Sequence, residues 1–291
     1  MKGREEMAEL LRGAPIARAL TDETAARAAK LSEAGACPRL VIVRVGEDPG
    51  DVAYERGALR RADAAGVAVE VEALAPDTAQ DELIACIERI NERADVHGCL
   101  IMRPLPAHLD EGAVSAVLDP AKDVDGITPG SLYGVFAGRA TGFAPCTAEA
   151  VVELLERSGV ALSGARVCVV GRSLVIGRPV AMLLMGKNAT VTICHTRTRD
   201  LDATCAGADI IVAAAGRAGT IGRGAVASGQ VVVDVGINVD AAGNLVGDVA
   251  AGEVEPVVAA LTPVPGGVGA VTTAVLMKHV VDACERAARK G

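Results

Sequence analysis

The sequence predicts an α/β fold in two domains, and three observations carry that expectation. Short β-rich apolar runs alternate with helical stretches along the whole chain, the rhythm of parallel βα units. At 291 residues the chain is long for one compact domain and comfortable for two. Its only aromatic residues are Tyr54, Tyr133, Phe136 and Phe143, so the cores must be made of Ala, Val, Leu and Ile. That composition suits helices on parallel strands better than an aromatic-rich β-sandwich.

Strands are predicted over 40–45, 67–74, 97–102, 167–170, 190–194, 210–213 and 231–235. Between them, 78–94 reads as an amphipathic helix with Leu83, Ile84, Ile87 and Ile90 on one face and charges on the other. Thr147, followed by Glu149, opens another helix over 148–157. The stretch 103–145 is turn-rich without clear periodicity, which puts the domain junction near its end. A last helix over 272–289 follows the loop 263–269 and is expected to pack on the first domain. The expected domains are therefore 1–146, completed by 272–291, and 147–271.

With 51% hydrophobic and 23% charged residues, the chain has ample material for packed cores. A net charge of -8, with no basic run longer than Arg60-Arg61, excludes a sequence-independent grip on nucleic acid, which needs a basic face. Residues 1–11 mix Lys2, Arg4, Glu5, Glu6 and Glu9 and lack the apolar core of a signal peptide. No segment approaches the ~20 apolar residues of a membrane span. A cytoplasmic location and no membrane partner are expected. The eight cysteines are scattered singly, with Cys99, Cys168 and Cys194 inside predicted strands, and read as reduced core residues. His97, His108, His195 and His279 show no His-x-x-x-His spacing, so no metal site is expected.

The strand 167–170 runs into Gly171-Arg172-Ser173-Leu174-Val175-Ile176-Gly177-Arg178-Pro179 and then a helix through Leu184. A strand, glycine turn and helix N-terminus offer backbone N–H groups and the positive end of a helix dipole to a pyrophosphate. The Gly-x-Ser-x-x-x-Gly spacing is one residue longer than the usual dinucleotide fingerprint, and alone it fits any βα turn. Its place in an alternating pattern favours a Rossmann-like cofactor domain. After the next strand comes His195-Thr196-Arg197-Thr198, with no acid before Asp200 to take the ribose hydroxyls. Hydroxyl and guanidinium groups there, with Arg172 in the turn, favour NADP over NAD, although Arg197 and Arg199 also read as solvated surface residues. Ala213-Ala214-Ala215-Gly216 and Asp234-Val235-Gly236-Ile237-Asn238 close two more strands with small residues, and these loops are expected to border the nicotinamide.

With these segments, Thr262-Pro263-Val264-Pro265-Gly266-Gly267-Val268-Gly269, Lys122-Asp123-Val124-Asp125-Gly126, Arg103-Pro104-Leu105-Pro106 and Pro145-Cys146-Thr147, the chain resembles the bifunctional methylenetetrahydrofolate dehydrogenase/methenyltetrahydrofolate cyclohydrolase family over nearly its whole length. The resemblance implies a folate-binding α/β domain, a Rossmann-like NADP domain, a cleft between them and a homodimer. It implies that Tyr54 packs on the folate and Asp125 hydrogen-bonds the pterin. Ile101, Met102, Pro265, Gly266 and Gly267 would line the folate site; Gly171, Arg172, Ser173, Thr196, Arg197, Gly216 and Ile237 would hold NADP.

Two positions depart from the family pattern. The lysine one helical turn after the tyrosine is Ala58, and the glutamine before a Leu-Pro-Leu-Pro run is Met102, in Met102-Arg103-Pro104-Leu105-Pro106. Ser131, Tyr133 and Ala270-Val271 are smaller departures. Hydride transfer needs alignment of donor and acceptor and no side-chain base. Hydrolysis of the methenyl carbon needs the proton transfers that the missing lysine and glutamine would assist. The expectation is an NADP-dependent methylenetetrahydrofolate dehydrogenase, converting methylene- to methenyltetrahydrofolate, with the cyclohydrolase step lost or weak. Full bifunctional activity, a catalytically silent folate- or nucleotide-binding paralogue and a shikimate-type dehydrogenase are the alternatives.

Overall fold

The structure is a computed structural model and describes residues 7–289. The charges Lys2, Arg4, Glu5 and Glu6 used above, and Lys290 and Gly291 at the chain end, lie outside them. The chain divides into two compact units, residues 7–17 with Thr147–Thr272, and Arg18–Cys146 with residues 273–289.

The described chain opens with strand β1 (Glu9–Leu10) and helix α1 (Gly13–Glu33). The buried side chains of α1 are Ala17, Leu20, Thr21, Thr24 and Ala28, spaced as one helix face but mostly too small or too polar to read as an apolar stripe. The unit Arg18–Cys146 is then built on β2 (Arg39–Val45), β3 (Ala68–Leu74) and β4 (Gly98–Ile101), a parallel sheet in the order β3-β2-β4. In central β2, Leu40, Val41, Ile42 and Val43 are all buried, the continuous apolar run of a strand covered on both faces. Helix α2 (Pro49–Ala65) links β2 to β3, and α3 (Gln80–Glu92) links β3 to β4. Leu83, Cys86, Ile87 and Ile90 are the buried residues of α3, while Ile84 is only half-buried; they pack in one core with Val41, Val43, Cys99 and Ile101.

The stretch 103–145, read from the sequence as turn-rich without clear periodicity, contains two short helices, α4 (Glu111–Val117) and α5 (Pro129–Ala137). Each has a side-chain cap. The Asp110 carboxylate accepts from the N–H groups of Gly112 and Ala113, and the Thr128 hydroxyl accepts from that of Ser131. At seven and nine residues they are too short to show a helical period.

The unit containing Thr147–Thr272 holds α6 (Cys146–Arg157), β5 (Arg166–Val170), α7 (Gly177–Gly186), β6 (Thr190–Cys194), α8 (Leu201–Ala206), β7 (Ile210–Ala213) and β8 (Val231–Asp234). Helix α6 begins one residue before Thr147, so that threonine lies in its first turn and does not cap it. The hairpin of β9 (Asn238–Val239) and β10 (Leu245–Val246), helix α9 (Ala251–Val254) and β11 (Ala260–Leu261) follow. Six parallel strands run in the order β1-β11-β8-β7-β5-β6. Strand β1 brings Glu9 and Leu10 into this sheet, a pairing that a continuous domain over 1–146 omits; two residues are too few for an alternation to show. The last helix, α10 (Val268–Ala288), starts inside what the sequence reads as the loop 263–269.

Seven cysteines are buried, and Cys37 is the exposed exception to the core reading. Among the described residues no helix is long and apolar enough to cross a membrane, and no group of three or more His, Cys, Asp or Glu side chains could hold a metal ion.

Candidate active site

In the six-stranded sheet β5 lies between β6 and β7, so the chain leaves β5 to one side and then returns to the other. Ligands of open α/β sheets bind at such a switch point, at the carboxyl ends of the strands. Gly171 follows β5 directly, with φ 135°, and a Cβ there would strike the Ala214 carbonyl at the end of β7. A Cβ on Gly177 would strike the Gly171 carbonyl. Both glycines are thus required for the strand, the turn and α7 to approach this closely.

The start of α7 has no side-chain cap and no acidic residue in its first turn, which leaves its dipole unopposed. The Ser173 hydroxyl accepts from the Ile176 N–H at 3.1 Å and fixes the turn. After β6, the His195 N–H donates to the Thr198 hydroxyl at 2.8 Å and the Arg197 N–H to His195 Nδ1 at 3.1 Å. This tight turn presents Thr196 and Arg197 as exposed side chains, and Arg172 and Ser173 are exposed in the first turn. The arrangement is a glycine turn at an uncapped helix start with exposed hydroxyl and guanidinium groups beyond it, so the residues present fit a dinucleotide.

Sequence reasoning missed the residue that shapes the next two loops. Asp248 is fully buried; its Oδ2 accepts from the N–H groups of Ala215 (2.6 Å) and Gly216 (2.9 Å), and its Oδ1 from the Asn238 amide (2.9 Å). Asp234 Oδ1 accepts in turn from the N–H groups of Gly236 and Asp248, and its Oδ2 from that of Val249, each at 2.9 Å. Burial pushes the Asp234 carboxyl up, against these bonds. Two buried acids therefore hold the loop around Gly216 and the segment from Asp234 to Asn238, and leave Ile237 exposed. The one sequence signal for Asp248 is an acid inside the otherwise apolar and glycine run from Leu245 to Val249. In the same unit the Gly13 N–H donates to the Gly266 carbonyl at 2.8 Å, and Gly266 takes φ 103°, so the loop with Pro265, Gly266 and Gly267 is pinned to the start of α1.

The other predicted residues fall in the unit Arg18–Cys146. Asp48 caps α2, accepting from the N–H groups of Gly50 (2.8 Å) and Asp51 (3.4 Å), and Gly66 ends it in the left-handed conformation. Tyr54, 37% exposed, and Ala58, 0% exposed, are one turn apart, and Ala62 and Ala65 continue the buried side. Burial, with the nearby Asp125 and Cys146, pushes the Tyr54 phenol well above the ordinary tyrosine value, so it stays protonated. Ile101 and Met102 are buried at the end of β4, where the Met102 N–H donates to the Val43 carbonyl at 2.9 Å.

Asp125 is brought near Tyr54 by a tightly packed turn. Gly126 has φ 68°, and a Cβ there would strike the backbone at Ala144 and Pro145, which ties the Lys122-to-Gly126 turn to the Pro145-Cys146 segment. Cys146 Sγ donates to the Val124 carbonyl at 3.1 Å, and His279 Nδ1 lies 2.8 Å from the same oxygen. Burial raises the Asp125 carboxyl, and the Arg103 guanidinium, 3.5 Å from its Oδ2, lowers it. Lys122 Nζ donates to the carbonyls of Ile90, Asn91 and Arg93 and caps α3, and Arg44 pairs with Glu55 at 2.9 Å.

Residues 11–125 match the family model described as tetrahydrofolate dehydrogenase/cyclohydrolase, catalytic domain, and residues 145–288 match that of its NAD(P)-binding domain. A curated relative from Clostridioides difficile, named bifunctional protein FolD, is 47% identical over 95% of this chain and 96% of its own length. One of the same name from Carboxydothermus hydrogenoformans is 48% identical over 96% and 98%. Among solved structures, the bifunctional FolD enzyme of Campylobacter jejuni superposes with a TM-score of 0.93 at 34% identity, over 96% of this chain and 99% of that one. The Trypanosoma brucei enzyme, solved with NADP and an inhibitor, gives 0.91 at 34% identity over 98% and 99%.

Proposed function

Because the chain belongs to the tetrahydrofolate dehydrogenase/cyclohydrolase family, we propose that it is an NADP-dependent methylenetetrahydrofolate dehydrogenase in which the cyclohydrolase step is lost or weak. NADP, when bound, supplies the acceptor for the hydride that leaves the bridging methylene carbon of the folate. The glycine cradle at Gly171 and Gly177 takes the pyrophosphate, with Ser173 beside it. Thr196, Arg197 and Arg172 face the 2′-phosphate, and the absence of an acid between Cys194 and Asp200 supports NADP over NAD. The loops at Gly216 and Ile237, shaped by Asp248, border the nicotinamide.

On the folate side, Tyr54 packs on the pterin, and Asp125 accepts from its N–H donors; Ile101 and Met102 complete the lining within this unit. The cation left on the substrate by hydride loss is stabilised by the adjacent folate nitrogens, so alignment is what this step asks of the protein. Hydrolysis asks for more. The observation that carries the reading is Ala58, a buried methyl where the general base would stand, together with an equally inert and buried Met102. Lys122 is spent on three carbonyls, and the guanidinium groups of Arg56, Arg60 and Arg103 are poor general bases.

The test measures both activities on one preparation by absorbance, with NADP and NAD side by side. Expected are NADP reduction with methylenetetrahydrofolate and hydrolysis of methenyltetrahydrofolate near the uncatalysed rate. Ala58→Lys with Met102→Gln should raise hydrolysis by ~10²–10⁴-fold, the usual worth of acid–base assistance. Rapid hydrolysis by the unaltered protein would refute the loss; no NADP reduction would leave the silent-paralogue reading. The homodimer and the cytoplasmic location implied by the resemblance belong to this proposal, and sedimentation tests the first.

A further inference from the structure

Arg103 stands where the family pattern has the first leucine of Leu-Pro-Leu-Pro, and its guanidinium lies between two carboxylates. Nη2 is 3.5 Å from Asp125 Oδ2 and Nη1 is 3.4 Å from Glu111 Oε1. Glu111 is itself anchored, its Oε2 accepting from the Leu105 N–H at 3.2 Å. Arg103 Nε is buried and lacks a hydrogen-bond partner among the described residues, so the side chain is held by its charged end. The Arg103 and Asp125 side chains are each about a quarter exposed, 23% and 24%, shielded enough for a charge pair to matter more than on an open surface.

We propose that Arg103 is a positioning residue for the substrate: it fixes the Asp125 carboxylate as the acceptor for the N–H donors of the pterin. The inference rests on the folate reading of the site, and gives this chain a cation where the family pattern has an apolar side chain. A partly buried carboxyl near Tyr54 would otherwise favour its protonated form, and a protonated Asp125 presents one acceptor oxygen fewer to the pterin. Of the groups facing Asp125, Arg103 is the main influence holding it ionised. Asp123 opposes this, although its own oxygens are occupied by the N–H groups of Ile127 and Thr128. His279 from α10 and Cys146 at the start of α6 favour ionisation less than Arg103 does, and the Tyr54 phenol on α2 stays neutral. The long 3.4–3.5 Å separations leave the guanidinium shared between Asp125 and Glu111, so Glu111 sets how strongly Arg103 acts on Asp125.

Arg103→Leu should raise the KM for methylenetetrahydrofolate about tenfold or more, with the KM for NADP unchanged. It should also move the acidic limb of kcat/KM to higher pH by about one unit, because Asp125 loses the charge that lowers its pKa. Arg103→Lys should recover most of both effects. Glu111→Gln frees Arg103 from its competitor and should move the limb the other way, to lower pH, which decides the matter if the leucine variant does not fold. A leucine variant with the wild-type limb and folate KM, or a glutamine variant with no downward shift, overturns the proposal. Calorimetric titration with tetrahydrofolate separates it from the functional reading. Wild-type protein that binds tetrahydrofolate without reducing NADP defeats the dehydrogenase reading alone, and the pH dependence of binding in the same variants still decides Arg103. No binding by the wild type overturns both.

Discussion

Asp248 meets only donors: two backbone N–H groups on one oxygen and the Asn238 amide on the other. Asp248→Ala therefore removes the acceptor of all three donors and leaves the N–H groups of Ala215 and Gly216 without their partner. The expected cost is about 1–3 kcal/mol of stability by urea denaturation, with a raised KM for NADP and an unchanged KM for the folate. An equal change in both KM values would show that Asp248 does not act through the two loops it binds. Single positions were unequally legible. Gly171 and Tyr54 stand in recognisable motifs, whereas Asp248 depends on partners 10 to 33 residues away that no local pattern announces. The cation beside Asp125 was hidden for the same reason: nothing around Arg103 in the sequence says which carboxylates it meets.

Among the elements, those with a strong period were read closely. Strands β6 and β7 fall at 190–194 and 210–213 as their β-rich runs predict, and α3 lies inside 78–94. Helix α1 escaped although it is one of the longest, since its buried face carries alanine, threonine and glycine with Leu20 as its one buried large apolar residue, and Pro15 stands in its first turn. Strands β1 and β11 escaped because two residues carry no pattern, and their place is set by pairing with each other and with β8. Helix α3 supplies a test at this scale. Lys122 closes its C-terminal carbonyls, so Lys122→Met should cost about 1–3 kcal/mol and leave the dehydrogenase kcat close to wild type. A large fall in kcat with stability intact would instead make Lys122 part of the chemistry. The turn between β5 and α7 has less tolerance. Gly171→Ala forces both a collision with Ala214 and a strained φ, and should abolish NADP binding measured by calorimetry.

At the scale of the molecule, the two-unit α/β organisation was visible in the alternation of runs, but the route of the chain was not. Its first described strand joins the sheet that holds the glycine turn, and residues 273–289 return to the unit of Arg18–Cys146. Ligand linkage offers a global test of cofactor choice. NADP at about 100 times its Kd should stabilise the folded protein by about 2.7 kcal/mol, whereas NAD at the same concentration should do much less. Equal shifts in melting temperature for the two would overturn the preference for the 2′-phosphate. With no tryptophan in the chain, such experiments lack the usual intrinsic fluorophore. The distribution of thiols supplies a substitute: Cys37 alone is exposed and seven others are shut in. Buried thiols react only when the structure opens. The folded enzyme should thus take up one maleimide dye at a defined point, and each further equivalent would count molecules that have opened, making alkylation stoichiometry a built-in clock for unfolding.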